Sequence, residues 1–337
     1  MSPRLATQEA DVRWTVVAQG IVSPEGPAVA ADGSVLLVSR WTGRVMRVDP
    51  FGRVTEVLQT EGKPQAVVTL ASGDLLVADA KRPALLRVPR SSWAPQEVRA
   101  GEAGVCEELL THCEGRSLLG PNDLCCTPAG VVYLTDPGLV LGEPGQVLRV
   151  DLSALLGDPS GPRGDCSREG SRALDATRLV ATRLVATRLV ATRLVATRLV
   201  DGLLFPNGIT MTADGRFLLV AESWTHRIWR YALEDQGRRL GPASLFHEFP
   251  DHYPDGMAFD SEGNLLVALH GSGHLQVLRA DGTRAATIPV GGVGCTNVVF
   301  GGSDFRTLYV TEDEQQALLK TRWHCPGQRA ASRSMAG

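Results

Sequence analysis

Short apolar runs separated by polar turns recur along the whole chain, and one phrase sets their register. Phe205 to Ser223 reads FPNGITMTADGRFLLVAES: a polar residue at Asn207, a short apolar run, a turn at Asp214-Gly215, then a compact strand from Phe217 to Ala221. Two apolar runs joined through Asp-Gly predict a hairpin. The same phrase opens at Glu25, Gln65, Asn122 and Asp255. The turn glycine stands eight residues on in every case, at Gly33, Gly73, Gly130, Gly215 and Gly263. A weaker sixth copy opens at Asn297, where the glycines come early, at Gly301 and Gly302, before the strand RTLYVT. More short strands follow each hairpin, as RVMRVD and RVTEVL follow VLLVS. Six meanders of short strands predict an all-β chain folded as a six-bladed β-propeller with four-stranded antiparallel blades.

The opening residues are 40, 57, 85, 48 and 42 apart. A blade takes roughly 40–45 residues, so two intervals carry insertions. One is Ser91 to Gly120. The other runs over 151–204, between blades three and four, and contains ATRLV in five perfect copies, Ala176 to Val200. A five-residue period gives neither a helix nor a strand a constant buried face. One copy is expected to serve as an outer strand, with the others looped out. Blade six runs short of chain, while Arg13 to Ala18 (RWTVVA) is a strand with no neighbour to pair with. The N-terminal strand is therefore expected to close the last blade, which hides both edges of the ring. One propeller then spans 12–323, with loose tails at 1–11 and 324–337.

Composition adds exclusions. The 337 residues carry 34 Lys and Arg against 37 Asp and Glu, a net charge of −3 that speaks against nucleic acid or an anionic membrane as partner. No apolar run approaches the roughly 18 residues of a spanning helix. The N-terminus lacks an apolar signal core, so a cytoplasmic location is expected. The seven cysteines are read as free thiols, with Cys106 and Cys113 as the pair an oxidising compartment would join.

The candidate chemistry comes from the register. Inner propeller strands surround a channel, and the phrase puts one residue of each copy at the same end of its inner strand. Those residues are Glu25, Gln65, Asn122, Asn207, Asp255 and Asn297. All offer oxygen, and none is His or Cys. A ring of carboxylates and amide carbonyls suits a hard cation such as Ca²⁺, and Glu25 with Asp255 would balance a divalent charge. The competing reading is local capping of strand ends by Asn and Asp. His270 and His274 have metal-ligand spacing, but Gly271 and Gly273 oppose the helix a zinc site would need. No G-x-S-x-G occurs, which removes the usual serine hydrolase. GGVG at 291–294 lacks the helix of a dinucleotide site.

PEGP at 24–27, GPNDL at 120–124 with YLTDPG at 133–138, FPNGI at 205–209 and PDGM at 254–257 resemble the regucalcin/gluconolactonase (senescence-marker-protein) family. Its relatives include diisopropylfluorophosphatases, paraoxonases and strictosidine-synthase-like propellers. The resemblance implies a six-bladed propeller holding Ca²⁺, or another divalent ion such as Zn²⁺, Mn²⁺ or Mg²⁺. The implied metal ligands are Glu25, Asn207 and Asp255. Asn122 matches a position that is a metal ligand in some relatives and a substrate contact in others. The implied activity is hydrolysis of a small-molecule lactone or related ester. Two features depart from the pattern: Ala28 and Val29 replace a tryptophan, and Ser39 or Arg40 an aspartate. Asp255 is then both ligand and catalytic base or nucleophile, with His252 and His270 as alternative bases. A non-catalytic ligand- or protein-binding propeller and a metal-free strictosidine-synthase-like enzyme are the rival readings.

Overall fold

Strands covered on both faces read as unbroken apolar runs rather than as alternating ones. That is what VLLVS and LLVAD become: Val35–Ser39 and Leu75–Asp79 are buried at every position. The protein is seen in a computed structural model that describes residues 12–94, 104–138, 142–153 and 194–329. Six antiparallel blades stand around one axis. Their inner strands are Pro24–Val29, Pro64–Thr69, Leu124–Cys126, Pro206–Met211, Tyr253–Phe259 and Cys295–Gly301. Each packs against the next, and the inner strand of blade six returns to that of blade one.

The core does not lie on the axis. Six apolar clusters fill the spaces between neighbouring blades. Successive strand residues face opposite ways, so Leu36 and Val38 pack toward blade two while Val35 and Leu37 pack toward blade six. Each such leucine contributes about 1.5–3 kcal/mol by burial. The five turn glycines have φ of 81, 83, 81, 67 and 80° in chain order, a left-handed conformation that side chains resist. The sixth copy keeps the turn with Phe305 in the glycine's place, at φ 59° and with its N donating to Gly302 O at 3.0 Å.

The ring closes as expected. Thr15–Gln19 pairs antiparallel with Ala317–Arg322, so both chain ends share blade six. One copy of the repeat serves as an outer strand, as expected, and this moves the opening of the insertion. Ala196–Leu203 is the outer strand of blade three, paired with Gly145–Asp151. The insertion therefore opens inside blade three, not between blades three and four, and the last ATRLV copy supplies the strand. Residues 176–193 of the repeat lie outside the described residues. The first long interval carries the outer strand of blade two, Glu107–Leu110, and a small hairpin, His112–Cys113 with Arg116–Ser117.

The expected tail also needs correction over 324–329. Cys325 is buried, and Gly327 bridges to Asp260. Ser261 N donates to Pro326 O at 2.8 Å, and Gln328 N to Phe259 O at 2.9 Å. Cys106, Cys113, Cys126, Cys295 and Cys325 are free thiols. Among the described residues no helix is long and apolar enough to cross a membrane.

Candidate functional site

Glycine follows the polar residue in three copies, and packing explains why. A Cβ on Gly26 would collide with Gln65 O and Ala66, one on Gly208 with Asp255 O, and one on Gly256 with the Asn297 amide. Each glycine thus makes room for the ring residue of the next blade. Hydroxyls also tie neighbouring blades together. Thr135 Oγ1 donates to Asn207 O at 2.8 Å, Ser223 Oγ to Pro254 O at 2.6 Å, and Thr296 Oγ1 to Pro24 O at 3.0 Å.

This construction brings Glu25, Gln65, Asn122, Asn207 and Asp255 to one cavity of about 380 Å³. Glu25 and Asp255 are buried, at 4% and 7% exposure, and Asn122 is half-buried. Asn207 Nδ2 donates to Ser223 Oγ at 3.2 Å, which leaves Oδ1 as the uncommitted atom of that amide. Asn297 does not line the cavity. It sits behind Glu25 and donates from Nδ2 to both carboxylate oxygens, at 3.3 and 3.1 Å, while its Oδ1 accepts from Val298 N. The ring of six is five lining residues and one that holds a carboxylate in place. Two carboxylates and three amide carbonyls, with no sulfur or imidazole in the set, have the donor chemistry of a hard divalent cation.

Two further registers line the cavity, and of their residues the sequence had named only His270 as a candidate for the chemistry, as an alternative base. Two residues before the ring residue stand Lys63, Gly120, Phe205 and Tyr253. Just past the second strand stand Arg40, Ala80, Pro137 and Ser223, and at its last position in blade five His270. The phrase carried both signals, since each position keeps its offset from copy to copy within one residue. Phe205 and Trp224 stack, with ring centroids 5.4 Å apart and planes at 11°. They make an apolar wall on blade four, across the ring from blade one.

Buried acids fix these rims. Asp79, Asp136, Glu222 and Glu312 end the second strands of blades two, three, four and six. Each accepts backbone N–H groups from the segment leading into its own inner strand: Lys63 N at 2.8 Å, Gly120 N at 2.6 Å, Leu204 N at 2.6 Å and Gly294 N at 2.6 Å. Burial still pushes the Asp136 carboxyl above its usual range, against the hydrogen bonds from Leu119, Gln146 and Gly120. Blade one has Ser39 here, and it donates to Val22 O at 2.6 Å instead.

Of the two alternative bases only His270 lines the cavity. Burial, and then the Arg40 charge, lower its pKa, against the pull of Asp313 and Glu312. His252 pairs at 3.4 Å with the exposed Asp251 instead. A separate group, Asp260, His324 and Cys325, places three metal-capable side chains within 4.8 Å of one another. It lies at the far end of the blade-five inner strand from Asp255. The Asp260 oxygens already accept from Glu262 N, Asn264 N and Trp323 Nε1, at 2.9, 2.9 and 3.2 Å. Burial and the nearby Asp260 charge push the Cys325 thiol up to about 12. These contacts make the group a turn that pins the 324–329 segment.

Comparison with known proteins agrees with this layout. The sequence model of the SMP-30/Gluconolactonase/LRE-like region matches residues 23–159 and 174–313. The diisopropyl-fluorophosphatase of Loligo vulgaris is 26% identical over 348 residues, 94% of either chain. The pentonolactonase XacC of Haloferax volcanii is 33% identical over 112 residues, 33% of this chain and 38% of that protein. A gluconolactonase structure from Xanthomonas campestris superposes with a TM-score of 0.70 at 22% identity, over 96% of this chain and 93% of that one.

Proposed function

The chain belongs to the SMP-30/gluconolactonase/LRE-like family, and from that premise we propose a divalent-metal-dependent hydrolase of lactones or related esters. The observation that carries the reading is the convergence of oxygen donors from separate blades on one cavity, two of them buried carboxylates. Glu25, Asn207 and Asp255 would hold the cation, with Asn122 as a fourth ligand or a substrate contact. Ca²⁺ fits this oxygen-only set best, ahead of Zn²⁺, Mn²⁺ or Mg²⁺. Such an ion, when bound, would supply Lewis acidity toward the lactone carbonyl.

The protein's own groups do the rest. Asp255 takes the proton from the water that attacks the carbonyl carbon; the ring C–O bond then breaks and the alcohol leaves. His270, whose pKa is lowered by burial and then by the Arg40 charge, is a second acceptor at the rim. Phe205 and Trp224 cover one side of the substrate and exclude water there. A cavity that converges acids and amides in this way has no use in a purely interacting propeller.

Elemental analysis of purified protein, followed by a lactone panel with and without chelator, tests the proposal. Asp255→Asn removes one charge and the base, so turnover stays lost at saturating Ca²⁺. Glu25→Gln weakens the ion, and added Ca²⁺ restores part of the rate. An Asp255→Asn protein that binds Ca²⁺ and turns over like the parent would exclude this chemistry and favour a non-catalytic propeller.

A further inference from the structure

The charges at the cavity mouth are lopsided. Among the described residues, Arg40 and Lys63 are the lysine and arginine side chains that line it. They stand side by side, Arg40 just past the second strand of blade one and Lys63 just before the inner strand of blade two. Arg40 is already engaged. Its Nη2 lies 2.9 Å from Asp313 Oδ2, and its Nε donates to Ser23 Oγ at 2.8 Å.

Lys63 is placed differently. Its ammonium sits 4.0 Å above the ring centre of Trp41, which is 68% exposed at the rim. Among the described residues no carboxylate stands within ion-pair distance of it. Burial, and then the Arg40 charge, lower its pKa, so an added negative charge would be favourable at this point. The floor of the cavity does not answer that need. Under the proposed function Glu25 and Asp255 are matched by the divalent cation and Arg40 by Asp313, which leaves the Lys63 charge uncompensated. The aromatic pair Phe205 and Trp224 stands across the ring, so a substrate ring lying against it can turn a substituent toward Lys63.

We propose that Lys63, backed by Arg40, forms an anion-binding subsite that selects lactones carrying a second, fixed negative group, a carboxylate, sulfonate or phosphate, away from the ring carbonyl. This rests on the lactonase reading for its substrate class, but the subsite itself is a binding site that can be measured without turnover. The fold does not depend on the Lys63 side chain. Its backbone N, which donates to Asp79 Oδ1 at 2.8 Å, survives any substitution but proline.

The test pairs kinetics with binding. Neutral, carboxylated, sulfonated and phosphorylated sugar lactones are compared in Ca²⁺-loaded protein and in Lys63→Met and Lys63→Arg. The ratio of kcat/KM for anionic over neutral lactones should exceed one in the parent. It should fall about 10- to 100-fold in Lys63→Met, as for loss of a charged hydrogen bond, and be largely restored in Lys63→Arg. It should also shrink with added salt. Which anion is best identifies the tail. Separately, calorimetry with 6-phosphogluconate against gluconate should show tighter binding of the former that Lys63→Met removes. If no lactone is turned over but this binding difference persists, the subsite stands and the lactonase reading falls. If lactones are turned over and neither the ratio nor the binding difference responds to Lys63→Met, the subsite is refuted and the lactonase reading stands. Absence of both responses refutes the subsite outright.

Discussion

Asn297 opens the weakest copy of the phrase, which by sequence makes it the ring residue expected to matter least. In the fold it is the most buried of the six and donates to both oxygens of Glu25. An amide that orients a metal-ligating carboxylate typically contributes 10- to 100-fold in metal affinity. Asn297→Ala is therefore expected to weaken Ca²⁺ binding about tenfold or more, read by metal titration, while Asn297→Asp is worse because it sets a like charge against Glu25. Unchanged affinity in Asn297→Ala would show that Glu25 is not a ligand. His270 gives a pH prediction at the same scale. Its folded pKa lies below the ordinary 6.5, from burial first and Arg40 second, against Asp313 and Glu312. As pH falls below 6.5 the unfolded chain takes up the proton first, so this group costs stability in the window between 6.5 and its folded pKa. An NMR titration of metal-free protein should place His270 below 6.5, and Arg40→Met should move it upward. An ordinary value in both proteins would remove His270 as the neutral acceptor at the rim.

At the scale of single elements the repeat makes a sharp case. Ala196–Leu203 needs only one ATRLV copy. Just before it, Leu194 packs on the cluster between blades two and three, while Val195 is 76% exposed. Deleting Ala176 to Val195 joins Leu174-Asp175 to Ala196, so a leucine again occupies the buried position and an aspartate the exposed one. The deletion is expected to shift stability by less than about 1 kcal/mol and to leave lactone turnover intact. Melting temperature and kcat check it, and a loss beyond about 2 kcal/mol would mean that the removed copies pack in the core.

For the whole molecule the decisive contact joins the two ends of the chain. Thr15–Gln19 covers the edge of Ala317–Arg322, and Trp14 Nε1 donates to Pro289 O of blade five at 2.7 Å. Removing residues 1–19 leaves blade six with three strands and an open edge, which invites pairing with another molecule. The truncated protein should melt several degrees lower and form larger species on size-exclusion chromatography. A monomer with the parent melting temperature would show that the clasp is dispensable.

Architecture was legible in the sequence because a propeller repeats a local unit. The eight-residue offset from ring residue to turn glycine needs only a strand, a left-handed turn and a second strand, all settled by near neighbours. The closing strand followed from counting, since blade six lacked chain and Arg13 to Ala18 lacked a partner. Glu25, Gln65, Asn122, Asn207 and Asp255 were identifiable as cavity residues for the same reason. Lys63 and Phe205 lay in equally regular registers, as did Arg40, noted only as a departure, and His270, named only as an alternative base; these registers carry different chemistry in each copy, so no shared residue type announced them. The packing between blades decided what remained. Only contact across blades turns Asn297 from ligand candidate into the holder of Glu25, sets Arg40 against Asp313, and opens the repeat insertion inside blade three. These are contacts between residues as far as 273 positions apart, and their partners are chosen by ring closure rather than by anything adjacent in the chain.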